Sequence, residues 1–142
     1  MVSNKQDIKT IIIIIIIFAI IFQIYNITYK SKYGDPLTKM KISKVPYELK
    51  CAFEEPGCEE GDIDGWTLMH GLMYFIIGLI VPNKYLIIFV ISILWEIIQP
   101  LFGNNARYII NPLVNLTGYG IGSIVKNSLS KNQLREKYTV LL

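Results

Sequence analysis

The sequence predicts an all-α integral membrane protein with four transmembrane helices and a tight hairpin between the second and third. Three observations predict it. Hydrophobic residues make up 52% of the 142 positions and the mean hydropathy is +0.42, which is high for a soluble domain of this length. The apolar residues fall in blocks rather than at the period of an amphipathic helix or strand. A charged stretch holding most of the Asp and Glu separates the first block from the rest. The net charge of +3 is modest. The basic residues are spread along loops and tail without an aromatic-interleaved stripe, which argues against nucleic-acid binding. Isoleucine, Asn and Lys are frequent, a bias that AT-rich genomes produce.

The first unit is residues 1–29, with its apolar stretch from Ile11 to Tyr25. The unbroken run Ile11–Ile17, flanked by Ile8 and Ile27, is long enough to cross a hydrocarbon core of about 30 Å. A cleaved signal peptide competes with an uncleaved signal anchor. No small-x-small cleavage site follows the run, and Gln23, Tyr25, Asn26 and Tyr29 stand there instead, which favours the anchor.

Residues 30–65 form a polar loop, rich in lysine first (Lys30, Lys32, Lys39, Lys41, Lys44) and acidic later (Glu54, Glu55, Glu59, Glu60, Asp62, Asp64). Cys51 and Cys58 flank a turn at Pro56-Gly57. In an oxidising compartment the two form a disulfide; in the cytosol they are free thiols. Both readings stay open.

The second span runs from Trp66 to Val81 and stops at Pro82-Asn83. The third runs from Tyr85 to Gln99 and stops at Pro100. Each is about 24 Å long at 1.5 Å per residue, short for a crossing, and suits a thin or locally pinched membrane. The connection Pro82-Asn83-Lys84 forces an antiparallel helical hairpin. The fourth span begins at Asn111-Pro112, read as an N-cap followed by proline at the first helical position, and ends near Val125. Residues 66–126 thus form a three-helix membrane core, and residues 127–142 a polar basic tail. Gly118 and Gly122 form a GxxxG pair, which allows close helix approach within the chain or in a homo- or hetero-oligomer. Lys and Arg nearly balance across the two sides, with a lean toward both termini in the cytosol and loop 30–65 outside or lumenal. Asn26-Ile27-Thr28 lies at a membrane surface and Asn115-Leu116-Thr117 within a span, so neither glycosylation sequon is expected to be used.

Polar residues inside the spans carry the functional signal, because ionisable groups at membrane depth are costly and usually have a task. Counting from the turn centred on Asn83 puts His70 level with Glu96. Centring the next connection between Gly103 and Asn104 puts Glu96 level with Asn111 and Ser92 level with Asn115. One layer then holds His70, Glu96 and Asn111. About 6 Å deeper, a second holds Tyr74, Ser92 and Asn115, and Arg107 hangs above both. Ser92, Glu96 and Gln99 share one helical face. His70 with Glu96 would make an acid–base pair, and Arg107 would neutralise Glu96 or hold an anionic group such as a lipid phosphate. These three are the candidate catalytic residues, with Tyr74, Ser92, Gln99, Asn111 and Asn115 as ligand-binding residues. One His, one Glu and two amides make a poor metal-ligand set, so neither metal nor cofactor is expected. Ser92 has no nucleophile elbow around it. The alternative is a buried polar network that only pins helix register.

From about residue 62 to 125 the chain resembles the VanZ-like family of small membrane proteins. The resemblance rests on Asp64 and His70 at the start of one span, Glu96-Ile97-Ile98-Gln99 at the end of the next, then Arg107 and Asn115-Leu116-Thr117-Gly118. The family's Asp four residues before that Asn is Asn111 here, which removes a carboxylate. The Gly65-Trp66 to His70 start and Leu94-Trp95-Glu96 are also similar to short membrane proteins encoded by large DNA viruses. These resemblances imply architecture more than chemistry. Two functional expectations follow: a site that binds or modifies a lipid headgroup or other amphiphile, with membrane lipids as partners, or a non-enzymatic membrane component such as an envelope or assembly protein.

Overall fold

The computed structural model describes residues 4–54, 56–102 and 106–140. Glu55 and the Gly103–Asn104 pair, on which the second depth count is centred, lie outside the described residues. The chain is mostly helical and its architecture is all-α. Helix α1 spans Asn4–Tyr25 and continues through a π-helical turn, Asn26–Lys30, into α2, Ser31–Tyr33. No Gly or Pro interrupts this path until Gly34, whose φ of 84° suits the left-handed region open to glycine. The helical run Asn4–Tyr33 is therefore longer than the apolar stretch alone suggests, and it is long and apolar enough to cross a membrane.

The loop is compact. Asp35 caps α3 (Pro36–Lys39) by accepting from the backbone N–H groups of Leu37 and Thr38. Strand β1 (Lys41–Ser43) pairs antiparallel with β2 (Ile63–Asp64). Between them, α4 (Tyr47–Lys50) leads into a disulfide joining Cys51 to Cys58, with Cα atoms 5.1 Å apart. Asp62 closes the loop by accepting from the Val45 N–H at 2.9 Å and pairing with Lys50 at 3.1 Å. Those two contacts hold its carboxyl below the ordinary carboxylate range.

Three helices form the core: α5 (Gly65–Ile80), α6 (Tyr85–Ile98) and α7 (Ile110–Val140). Asp64 starts α5 with a capping box, accepting from the Thr67 N–H at 3.0 Å while its own N–H donates to the Thr67 hydroxyl. Asn83, at φ 64°, turns the chain into α6. Helix α7 starts earlier than an Asn111 cap would have it. The Asn111 N–H already donates to the Arg107 carbonyl, so this residue lies inside the first turn and its side chain is free for another use. The helix also runs past Val125 to Val140 as one rod of 31 residues. Residues 126–140 contain no Gly or Pro to stop it.

Helices α5 and α7 run parallel and pack extensively; α6 is antiparallel to both. The α5–α7 seam is built on glycine. A Cβ on Gly118 would collide with the Gly71 backbone, one on Gly122 with the Phe75 carbonyl, and one on Gly78 with the Tyr119 carbonyl. The Gly118/Gly122 pair, expected to allow close helix approach, meets α5 of the same chain, because only glycine lets the two backbones come this close. Helix α1 lies antiparallel to α5. Phe22 and Tyr25 set their rings on Trp66 at centroid distances of 5.4 and 5.7 Å, and Asp7 pairs with Lys84 at 3.0 Å at the opposite end. The four long helices therefore have a loop end, which carries the sheet and disulfide, and a turn end, which carries Asn4, Lys84 and the projecting half of α7.

Candidate functional site

The polar residues of the core line up from the loop end inward. Arg107 stands at the top. Its guanidinium donates to the carbonyls of Glu60 and Asp62, to the Thr67 hydroxyl and to the Asp64 carboxylate, over 3.2–3.4 Å. The sequence reading offered this cation to Glu96 or to an anionic ligand. The structure turns it the other way, into the loop, where it clamps the last turn before α5. Glu96 instead receives the backbone N–H of Arg107 on Oε2 at 2.8 Å. Its Oε1 accepts from Asn111 Nδ2 at 3.0 Å. Thus α6 and α7 are joined through a carboxylate that is fully buried.

One turn deeper, Asn115 Nδ2 donates to Ser92 Oγ at 2.7 Å, and the Tyr74 hydroxyl is hydrogen-bonded to the same serine. Ser92 and Asn115 are fully buried and Tyr74 nearly so. This layer therefore joins all three core helices. Ser92 sits one turn before Glu96 on α6, so both meet the same face of α7, whose Asn111 and Asn115 are also four apart. Gln99 is buried one turn further on, at the start of a 3₁₀ turn, Gln99–Phe102.

His70 belongs to this face but not to either hydrogen-bonded layer. Among the described residues no hydrogen bond joins it to Glu96 or Ser92, so neither the acid–base pair nor a Ser–His–Glu relay is assembled. Its Nδ1 is buried without a partner, and so is Asn115 Oδ1. Turn counting puts His70 level with Glu96, but the close approach of α5 and α7 sets it about one turn deeper. Gly71 seats against Val114 and Gly118, so the level of His70 along α5 is that of Asn115 along α7. The two residues that carry an unpartnered atom therefore stand at similar levels on neighbouring helices. Among the described residues no group of three or more His, Cys, Asp or Glu is placed to hold a metal ion.

A second polar group escapes sequence reasoning. At the turn end the Tyr119 hydroxyl donates to the Val81 carbonyl at 2.6 Å and accepts from the Lys84 N–H at 2.7 Å. Ser123 Oγ accepts from the Asn83 N–H at 3.0 Å, and the Asn83 and Asn127 amides pair with each other. A tyrosine and a serine inside an apolar block carry no periodic signal; the free N–H groups left by Pro82-Asn83-Lys84 are the only hint that something must satisfy them. No protein-family model, curated protein or solved structure matches the chain.

Proposed function

We propose that this is a four-span membrane protein whose His70–Glu96–Asn111–Asn115 cluster binds the headgroup of a lipid or another amphiphile near one membrane face. The observation that carries the reading is an inverted distribution of polarity. Inside the core, Ser92, Glu96 and Asn115 are all 0% exposed, whereas Leu86, Ile97, Leu113 and Ile124 on the same helices are 55–75% exposed. A water-soluble domain buries the second set and exposes the first. In lipid the arrangement costs little, since the outward leucines and isoleucines replace hydrocarbon contacts and the polar groups pair internally. Helix α1, with exposed isoleucines along most of its length, completes the set. The ordered resemblance to VanZ-like proteins agrees with a three-helix core of this kind.

The disulfide favours an oxidising compartment for the loop end. Both termini and the α5–α6 turn then lie on the cytosolic side. Geometry favours binding over conversion, because His70 is not joined to a second acid–base group. One observation supports the alternative of a non-enzymatic packing role: both Glu96 oxygens and most of the Arg107 donors are already satisfied within the chain.

Purification of the full chain and its His70→Ala variant in mild detergent, followed by mass spectrometry of bound lipids, separates the two. The headgroup reading expects a defined amphiphile on the native chain that the variant loses while keeping its thermal unfolding profile. Identical lipid content with impaired folding would leave only the packing role.

A further inference from the structure

The ligand class can be narrowed by counting which hydrogen-bonding groups of the cluster are already used. Phosphate recognition needs donors, above all a guanidinium fork or several N–H groups aimed at one point. Here the only arginine near the cluster gives its donors to Glu60, Asp62, Asp64 and Thr67. Its backbone N–H and one Asn111 amide N–H go to Glu96, and one Asn115 amide N–H goes to Ser92. At Asn115 the atom left with no partner at all is of the opposite kind. Asn115 Oδ1 is an acceptor on a side chain that is 0% exposed, and it has no partner. At a similar level on α5, His70 Nδ1 is also buried and unpartnered, and a neutral imidazole has one accepting nitrogen and one donating nitrogen. Leaving such atoms unpaired costs about 1–3 kcal/mol each. At the turn end, the hydroxyl of the equally buried Tyr119 meets two partners.

From this we infer that the site takes a hydrogen-bond donor, the hydroxyl or primary ammonium of an amphiphile headgroup, and does not recognise phosphate. Asn115 Oδ1 is the acceptor that the donor meets, with His70 Nδ1 as the second polar group at that level. This rests on the headgroup reading above and makes it more specific. Hydroxyl and ammonium share the same chemistry toward an amide oxygen.

His70 is the only histidine in the chain, so its imidazole nitrogen signals are unambiguous reporters. The full chain, nitrogen-15 labelled in lauryldimethylamine oxide micelles at pH 7.5, a detergent without N–H or O–H donors, is titrated with four dioctanoyl lipids. Dioctanoylglycerol brings a hydroxyl without phosphate, and the phosphatidylethanolamine brings an ammonium with phosphate. The phosphatidylcholine and phosphatidylmethanol bring phosphate without any N–H or O–H donor. The inference expects the first or second to shift the His70 resonances with an affinity roughly ten-fold or more above the last two, the size of about one hydrogen bond. It also expects Asn115→Leu to abolish the preference while leaving the helices folded by circular dichroism. Donor-free lipids binding as tightly as the others would overturn the inference and leave the headgroup reading standing. No lipid shifting His70 would overturn both. If Asn115→Leu unfolds, Asn115→Asp decides: it retains the acceptor and should retain the preference, and its loss in a folded Asn115→Asp would overturn the role of Oδ1.

Discussion

The turn end and the His70–Asn115 level of the same α5–α7 seam are both polar, and they are built to different standards. At the turn end the Tyr119 hydroxyl has one donor and one acceptor partner, and Ser123 and Asn127 close on Asn83. That is a complete network, and it does what such a network does in a protein interior: it satisfies the backbone of a tight turn. One helical stretch away, Asn115 uses its N–H and leaves its oxygen bare, and His70 leaves a nitrogen bare. The chain evidently can satisfy buried polar atoms where structure alone is at stake. The incomplete layer is therefore the better candidate for a site, although Glu96 is the more conspicuous residue in the sequence.

The seam that connects the two regions offers the largest test. Gly118→Leu drives a side chain into the Gly71 backbone, where no rotamer change relieves it. Unfolding in detergent should show a loss above about 3 kcal/mol. Gly120→Ala, whose added methyl meets only the Tyr85 ring edge at 3.8 Å, should be nearly neutral. Equal effects would mean that the helices do not approach as described.

A more direct test sets the two regions against each other. Tyr119→Phe strands the Lys84 N–H and the Val81 carbonyl, and should cost about 1–3 kcal/mol. Asn115→Leu trades one hydrogen bond against one unpaired oxygen and should cost less than about 1 kcal/mol. Urea unfolding of both variants checks the order, and a reversed order breaks the contrast between the complete and the incomplete network.

The smallest effect extends the contrast to the loop end. Burial alone would raise the Asp35 carboxyl, but hydrogen bonds from Trp66 at 2.8 Å, Thr38 and Lys30 outweigh it and hold it at about 2. A carboxyl lowered on folding stabilises above its unfolded value and loses that contribution as the pH falls through the folded one. The tie between the end of α1 and the start of α5 should therefore be intact from neutrality down to about pH 4 and fade toward pH 2. Indole fluorescence of a Trp95→Phe variant, which leaves Trp66 as the reporter, would follow it. A transition above pH 5 would show that Asp35 is not the group that holds Trp66.

Much of this was readable from residue order, for definite reasons. Rigid rise per residue places Glu96 beside Asn111 and Ser92 beside Asn115, and the structure has those contacts. The same count errs for His70, which the approach of Gly71 to Val114 and Gly118 sets level with Asn115, about one turn deeper than Glu96. Residue order brings Arg107 to the cluster, but its acceptors are two loop carbonyls and the Asp64 and Thr67 side chains, and no sequence pattern marks the carbonyls. Hydropathy marks the end of the apolar span near Val125, but it measures solvent preference and not helicity, and the helix itself continues to Val140. The glycine seam is visible as a motif, whereas its partner within the chain, α5, depends on the parallel packing of helices that are not sequence neighbours.

That last feature bears on how the chain is made. Because α5 closes on α7 with the whole of α6 between them, no ordering of the first three helices can complete the fold during synthesis. Until α7 leaves the ribosome, Glu96 and Ser92 wait without their amide partners and Gly71 and Gly78 lack the helix that they pack against. The three-helix core is therefore closed by α7, and a chain interrupted before Asn111 would leave Ser92 and Glu96 buried without their amide partners.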